Sequence, residues 1–222
     1  MIFKEQSKRW EDIVLSHVSD VIVLVHDYIL ELLNHIVPDK QVLEGLWENI
    51  LLENLQASYK SAMDHARFLL QIEREGKPIT YNPNFNVEVQ KAQAERMGEA
   101  MEGEAIDIEE HGEVVKLDVL RNRVINKSNP QQVREYLHDN LESYYKISVK
   151  RFVDVVCQQV VDFHLLNGKG SPLHVFSTDL VFDLNASALD NIAGEDHVTK
   201  QERERLEREI VSLEGAMQVL RG

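Results

Sequence analysis

The sequence predicts an all-α protein built on long antiparallel helices, and three observations carry that expectation. Only 10 glycines and 5 prolines occur in 222 residues, and a chain poor in both favours helix over turn-rich β structure. Apolar residues recur at helical spacing through three long segments, 3–37, 40–75 and 130–167. The turn between the first two is so short that they must fold back on one another. At 1.5 Å per residue each long helix reaches roughly 50–55 Å, and three helices of matching length pack most economically side by side. The expected architecture is therefore an elongated antiparallel helical bundle.

The first segment carries two adjacent ridges, Trp10, Val14, Val21, Leu24, Tyr28 and Leu32 beside Val18, Ile22, Val25, Ile29, Leu32 and Ile36. Together they make an unusually broad apolar face that calls for neighbours on two sides. Pro38 stops this helix, and Asp39 is placed to cap the next. The second helix buries a stripe of Val42, Leu46, Ile50, Leu55, Ala62, Ala66 and Leu69, and Gly76 with Pro78 ends it.

Residues 78–86, PITYNPNFN, read as extended loop, and a short helix is predicted over 87–101. Across 102–119 Glu102, Glu104, Asp107, Glu109, Glu110, Glu113 and Asp118 are set against a single Lys116, the composition of a solvated, poorly ordered segment. About fifty residues thus separate the second and third long helices, far more than a usual connection.

Asn129-Pro130-Gln131-Gln132 gives an N-cap, a proline in the first turn and a capping-box glutamine. The third helix then runs through Leu137, Leu141, Tyr145, Phe152, Val156, Val160 and Phe163 to Asn167-Gly168. Its best patterned part is 143–166, SYYKISVKRFVDVVCQQVVDFHLL, with Lys146, Lys150 and Arg151 as a polar edge. Beyond Gly168, Ser177 and Asn185 are placed to cap two short helices. A last helix over 199–220 carries a seam of Leu206, Ile210, Leu213, Met217 and Leu220, spaced four and three alternately among Glu and Arg. That is a coiled-coil-like strip, and it needs partner helices.

Composition excludes several functions. A net charge of −14 argues against a nucleic-acid footprint, which needs clustered Lys and Arg. Cys157, the single cysteine, rules out an intramolecular disulfide and fits a reducing compartment. It falls mid-helix in an apolar run and reads as a small buried hydrophobe. No signal peptide and no charge-free membrane span is read in the chain, so a cytoplasmic location is expected. Gly168-Lys169-Gly170-Ser171 lacks the upstream glycine and preceding strand of a phosphate loop and reads as a helix terminator. His17, His26 and His35 lie nine apart, and the nine histidines form no pair at ligand spacing on one helix face. No catalytic, cofactor or metal residue is assigned.

The segments SYYKISVKRFVDVVCQQVVDFHLL, SPLHVFSTDLVFDLNASALDNIAGED and RERLEREIVSL resemble the GTPase effector domain of the dynamin superfamily, in its fungal Mx-like or vacuolar-sorting form. FKEQSKRWEDIVLSHVSDV, LLENLQASYKSAMDHARFLLQIE and PITYNPNF are similar to the preceding middle, or stalk, region. The resemblance covers nearly the whole chain and rests on extended patterns rather than a short motif.

It implies a division into 1–77, the C-terminal part of a stalk; 78–129, a flexible acidic stalk-tip loop; and 130–222, an effector domain. That domain comprises a stalk helix 130–167, a connector 168–198 and a relay, or bundle-signalling, helix 199–222. The implied role is non-catalytic: homo-oligomerisation through stalk helices, and contact of the relay helix, by Leu206, Ile210, Leu213, Met217 and Leu220, with a dynamin-like GTPase domain in cis or in trans. The family's GTP-binding motifs and first stalk helix have no counterpart in these residues, so GTP and Mg would belong to the absent GTPase domain. Lipid-binding members have a basic tip loop, whereas this one is acidic and would be repelled by anionic headgroups. Membrane association is thus expected to be indirect at most, at the periphery of membranes or microtubules. An unrelated helical scaffold or coiled-coil adaptor is the alternative expectation.

Overall fold

The computed structural model describes residues 2–108, 112–125, 128–195 and 197–221. The chain is 83% helical, so the all-α expectation holds. Helices α1 (Ile2–Ser7) and α2 (Trp10–Ile36) are followed by α3 (Lys40–Leu46), which runs through a π-helical turn, Trp47–Leu51, into α4 (Leu52–Glu75). Asp39 caps α3 as expected, its carboxylate accepting the N–H groups of Gln41 and Val42. At the far end the Gly76 N–H bonds to the Ile72 carbonyl.

The long connection is mostly regular. Thr80 Oγ1 accepts the Asn82 N–H and Asn82 Oδ1 accepts the Asn84 N–H, local turns of the kind that compete with extended chain. They deliver the backbone into α5 (Asn84–Glu102), longer at both ends than the sequence suggests. Part of the acidic run then pairs: β1 (Ile106–Ile108) lies antiparallel to β2 (Gly112–Val114), with Ile106 opposite Val114. Glu109 and Glu110 fall outside the described residues. After α6 (Leu117–Ile125), Ser128 rather than Asn129 holds the cap position of α7 (Asn129–Val155), with Pro130 in the first turn. The helix continues as a π-helical run, Val156–Asn167. A 3-10 turn at Pro172–His174 leads to α8 (Thr178–Phe182), α9 (Ala186–Ala193) and α10 (His197–Arg221). Ser177 and Asn185 cap α8 and α9 by accepting the N–H groups of Leu180 and Ala188.

By its internal contacts the chain divides into two compact units, 1–18 with 63–161 and 19–62 with 162–222. In the first, an aromatic cluster gathers Phe3, Trp10, Tyr144, Tyr145 and Phe152. Trp10 stacks on Phe152 at 5.0 Å and donates its indole N–H to the Tyr145 hydroxyl at 3.2 Å. Here α5 packs along α7, joined by an ion pair between Arg96 and the buried Asp139. The start of α2 meets the end of α4 through Arg74 and Glu11 at 2.9 Å.

The second unit has its own core of Val25, Ile29 and Leu33 from α2 with Leu46, Ile50, Leu51 and Leu55, closed by Ile192 of α9. Gly45 lets α9 cross α3 closely: a Cβ there would stand 3.0 Å from Ile192 Cα and 3.1 Å from its carbonyl oxygen. Along the second helix the expected stripe is inside, with Leu46, Ile50, Leu55, Ala62, Ala66 and Leu69 all buried and Val42 half-buried.

Candidate functional site

Two exposed apolar faces and one helix terminator are the features with functional content. On α2 the two ridges are covered unequally, the exposed part lying towards the C-terminal half of the helix. Val18, Val25 and Ile29 are buried, whereas Leu24 is 69% exposed, Tyr28 56% and Leu32 42%. The broad face therefore has a neighbour on one side and water on the other.

The second face is α10. Its first turn is tied by an Arg203–Glu195 ion pair at 2.9 Å, and Arg205 bonds Glu202 along the helix at 2.6 Å. From 198 to 220 every residue is exposed. The structure places Leu206, Ile210, Leu213, Met217 and Leu220 together on this one helix, between 46% and 85% exposed. Large side chains at four-three spacing thus form a continuous apolar strip in contact with water.

The Gly168–Ser171 segment is a terminator. The Gly168 N–H bonds to the Phe163 carbonyl at 2.9 Å, and a Cβ at Gly168 would meet that same oxygen at 2.1 Å. Ser58 Oγ donates to the Gly170 carbonyl, and the fully buried Ser171 donates to the Leu166 carbonyl while facing His174 Nδ1 at 3.0 Å. The glycines close a helix and seat it on α4.

Histidines are spent singly. His26 lies edge-on to Trp47 and 3.4 Å from the Tyr59 hydroxyl, and burial pushes the Tyr59 phenol up to about 12. His65 bonds Gln159 and His164 faces Ser61. Among the described residues no three His, Cys, Asp or Glu side chains come together as a metal site.

Cys157 departs from expectation: it is exposed, not buried. It lies beside the buried line Phe152, Val156 and Val160, which keeps a spacing of four, and only beyond Val160 does the π-helical run slip the face by a residue, to Leu165 in place of Phe163. Val156, Val160 and Leu165 point inward, and Cys157 and Phe163 outward. Phe3–Ile36 is the most apolar long stretch, though not a charge-free one. Over 34 residues it contains a window of mean hydropathy 1.6, long and apolar enough to cross a membrane by length and composition alone, with 17% of that window buried.

Of the polar edge on α7, Lys146 bonds Glu142 at 3.0 Å. Arg151 bonds Glu73 at 2.6 Å and the Ile79 carbonyl. Burial works against the Arg151 charge, but its bond to Glu73 holds the guanidinium above its ordinary value. An open groove of about 600 Å³ is lined by the apolar side chains Phe3, Leu137, Leu141 and Tyr145 together with Arg134, His138 and Glu142. The sequence had not singled out Asp139 or Arg96. The signal was available, since Asp139, Ser143 and Ile147 recur every four residues along one buried face.

No protein-family model, no curated protein and no solved structure matches the chain.

Proposed function

We propose that this chain is a non-catalytic self-assembly and effector module of the dynamin type, comprising stalk and effector domain and acting by helix–helix packing in membrane remodelling and trafficking. The observation that carries it is the pair of open apolar faces, Leu24, Tyr28 and Leu32 on α2 and the Leu206–Ile210–Leu213–Met217–Leu220 seam on α10. Faces of this kind imply association. The order of elements supports the same reading, with three long helical stretches, a connector of short helices and a terminal exposed helix. So does the antiparallel run of neighbours inside each unit: the start of α2 meets the end of α4 through Glu11 and Arg74, and Tyr59 of α4 reaches back to His26 of α2.

In this reading the three long helices form an antiparallel stalk that assembles with further copies, and α10 serves as the relay to a GTPase domain supplied in cis or in trans. Nucleotide chemistry, GTP and Mg reside in that domain, and this chain holds no catalytic group. Contact with membranes is indirect, and the chain works from the cytoplasm.

The deciding experiment adds a purified dynamin-type GTPase domain, with its neighbouring bundle helices, to the full chain. Binding that Leu213→Asp abolishes is expected. Absence of any interaction is the outcome expected of an unrelated helical scaffold. Analytical ultracentrifugation supplies a second check. Self-association that grows with concentration is expected, and a monomer at every concentration removes the stalk role.

A further inference from the structure

We infer that α10 does not pair with a second copy of itself but takes an amphipathic helix of another polypeptide with lysine or arginine beside its apolar stripe. This deepens the reading above and rests on it for the packing of α10 against outside helices; the charge of the partner is new.

The seam fixes which residues lie beside it. With Leu206, Leu213 and Leu220 at one seam position and Ile210 and Met217 at the other, the flanking positions are Glu202, Glu207, Glu209, Glu214 and Ala216, with Arg221 at the very end. Arg203 continues the seam line seven residues before Ile210 and is paired with Glu195. Arg205 and Arg208 fall on the far side, where Arg205 bonds Glu202 and Arg208 donates to the Glu204 carbonyl. The helix is close to neutral in composition, but its binding edge is acidic.

That edge decides among occupants. In a parallel pair, each flanking residue ahead of the seam meets the one five positions on in its partner. Two copies of α10 would set Glu202 against Glu207 and Glu209 against Glu214, twice over by symmetry. An antiparallel pair centred between Ile210 and Leu213 sets Glu207 against Glu214. Each arrangement brings carboxylates together beside apolar surface, where like charges disfavour docking. An anionic lipid surface is repelled for the same reason. A helix with cations at those positions gains an attractive pair at each contact and covers the five apolar residues.

The test uses the full chain and two labelled synthetic three-heptad helices with the same leucine and isoleucine seam. One has lysine at all flanking positions, the other glutamate, and binding is followed by fluorescence anisotropy. The lysine probe is expected to bind roughly ten-fold more tightly, four pairs contributing a few tenths of a kcal/mol each. The preference should fade at about 0.5 M salt, where surface charges are screened. Glu207→Lys with Glu214→Lys alters only exposed positions, inverts two of the four flanking charges, and is expected to abolish the preference.

Equal binding of both probes, or a preference unmoved by the double substitution, overturns the inference. So does a dimer in sedimentation that Leu213→Asp abolishes, because that dimer would be α10 on itself. The two readings fail separately. Lysine-probe binding without GTPase-domain binding removes the dynamin reading alone, and GTPase-domain binding without charge preference removes this inference alone.

Discussion

Arg96 of α5 forms an ion pair with Asp139 of α7, and the carboxylate residue is only 3% exposed. Nδ1 of the neighbouring His138 ring stands 3.7 Å from the same carboxylate. Arg96→Ala therefore strands a buried charge, and a loss of about 2–3 kcal/mol is expected, the low side for breaking a buried pair because Arg96 is partly exposed. Urea denaturation measures it as a lower midpoint at unchanged slope. Replacing both partners by apolar residues, Arg96→Met with Asp139→Leu, should cost less than either single change.

Gly45 is expected to tolerate no branched residue. Val at this position would gain slightly in helix propensity, yet its Cβ would press on the Ile192 backbone, which cannot swing aside like a side-chain end. A destabilisation of about 1–3 kcal/mol follows, typical of overpacking. Hydrogen exchange should show protection lost first in α9.

Trp10 separates packing from hydrogen bonding. Trp10→Phe removes the donor to Tyr145 and some volume, while Trp10→Ala empties the stack on Phe152. Losses of about 1–2 and about 3–5 kcal/mol respectively are expected from thermal unfolding. The near-ultraviolet circular dichroism of the cluster should vanish in the alanine variant.

Tyr59 sets an alkaline limit. Its phenol is raised to about 12 in the fold from an ordinary value of 10.0, by burial. The unfolded chain thus releases its proton first, so the stability that neutral Tyr59 contributes is complete below pH 10 and is lost as pH climbs towards 12. An ultraviolet titration should show one tyrosine ionising after the others, and Tyr59→Phe should remove both the late step and its share of the alkaline decline.

Where helices keep an α period, their buried faces were legible in the sequence. Along α4, from Leu55 to Leu69, the apolar stripe and the core coincide, because each turn repeats the last. At the end of α7 that logic fails: the π-helical run widens the turn, so beyond Val160 it is Leu165 that goes inside and Phe163 that faces water. Nothing in VVCQQVVDFHLL announces this, as the wider turn is selected by what the helix packs against. The acidic connection was misread over 106–108 and 112–114 for another reason. Ile106, Ile108 and Val114 supply enough β-branched surface to pair, a local signal that the surrounding charge concealed. Of the site, the spacing of the α10 seam is legible because residues that share one helix face are set by that helix alone, whereas its exposure needed the fold. The Arg96–Asp139 pair joins residues far apart in sequence and needed the fold.

An α10 that is exposed from 198 to 220 also has a meaning for the life of the protein in a cell. Copies whose seam has found its covering helix offer chaperones and proteases little to grip, whereas surplus copies present leucine, isoleucine and methionine side chains to them. The supply of partner would then meter how much of this chain survives. Pulse-chase labelling should show a lifetime that lengthens when a basic amphipathic helix is co-expressed and that no longer responds once Leu213 is replaced by Asp.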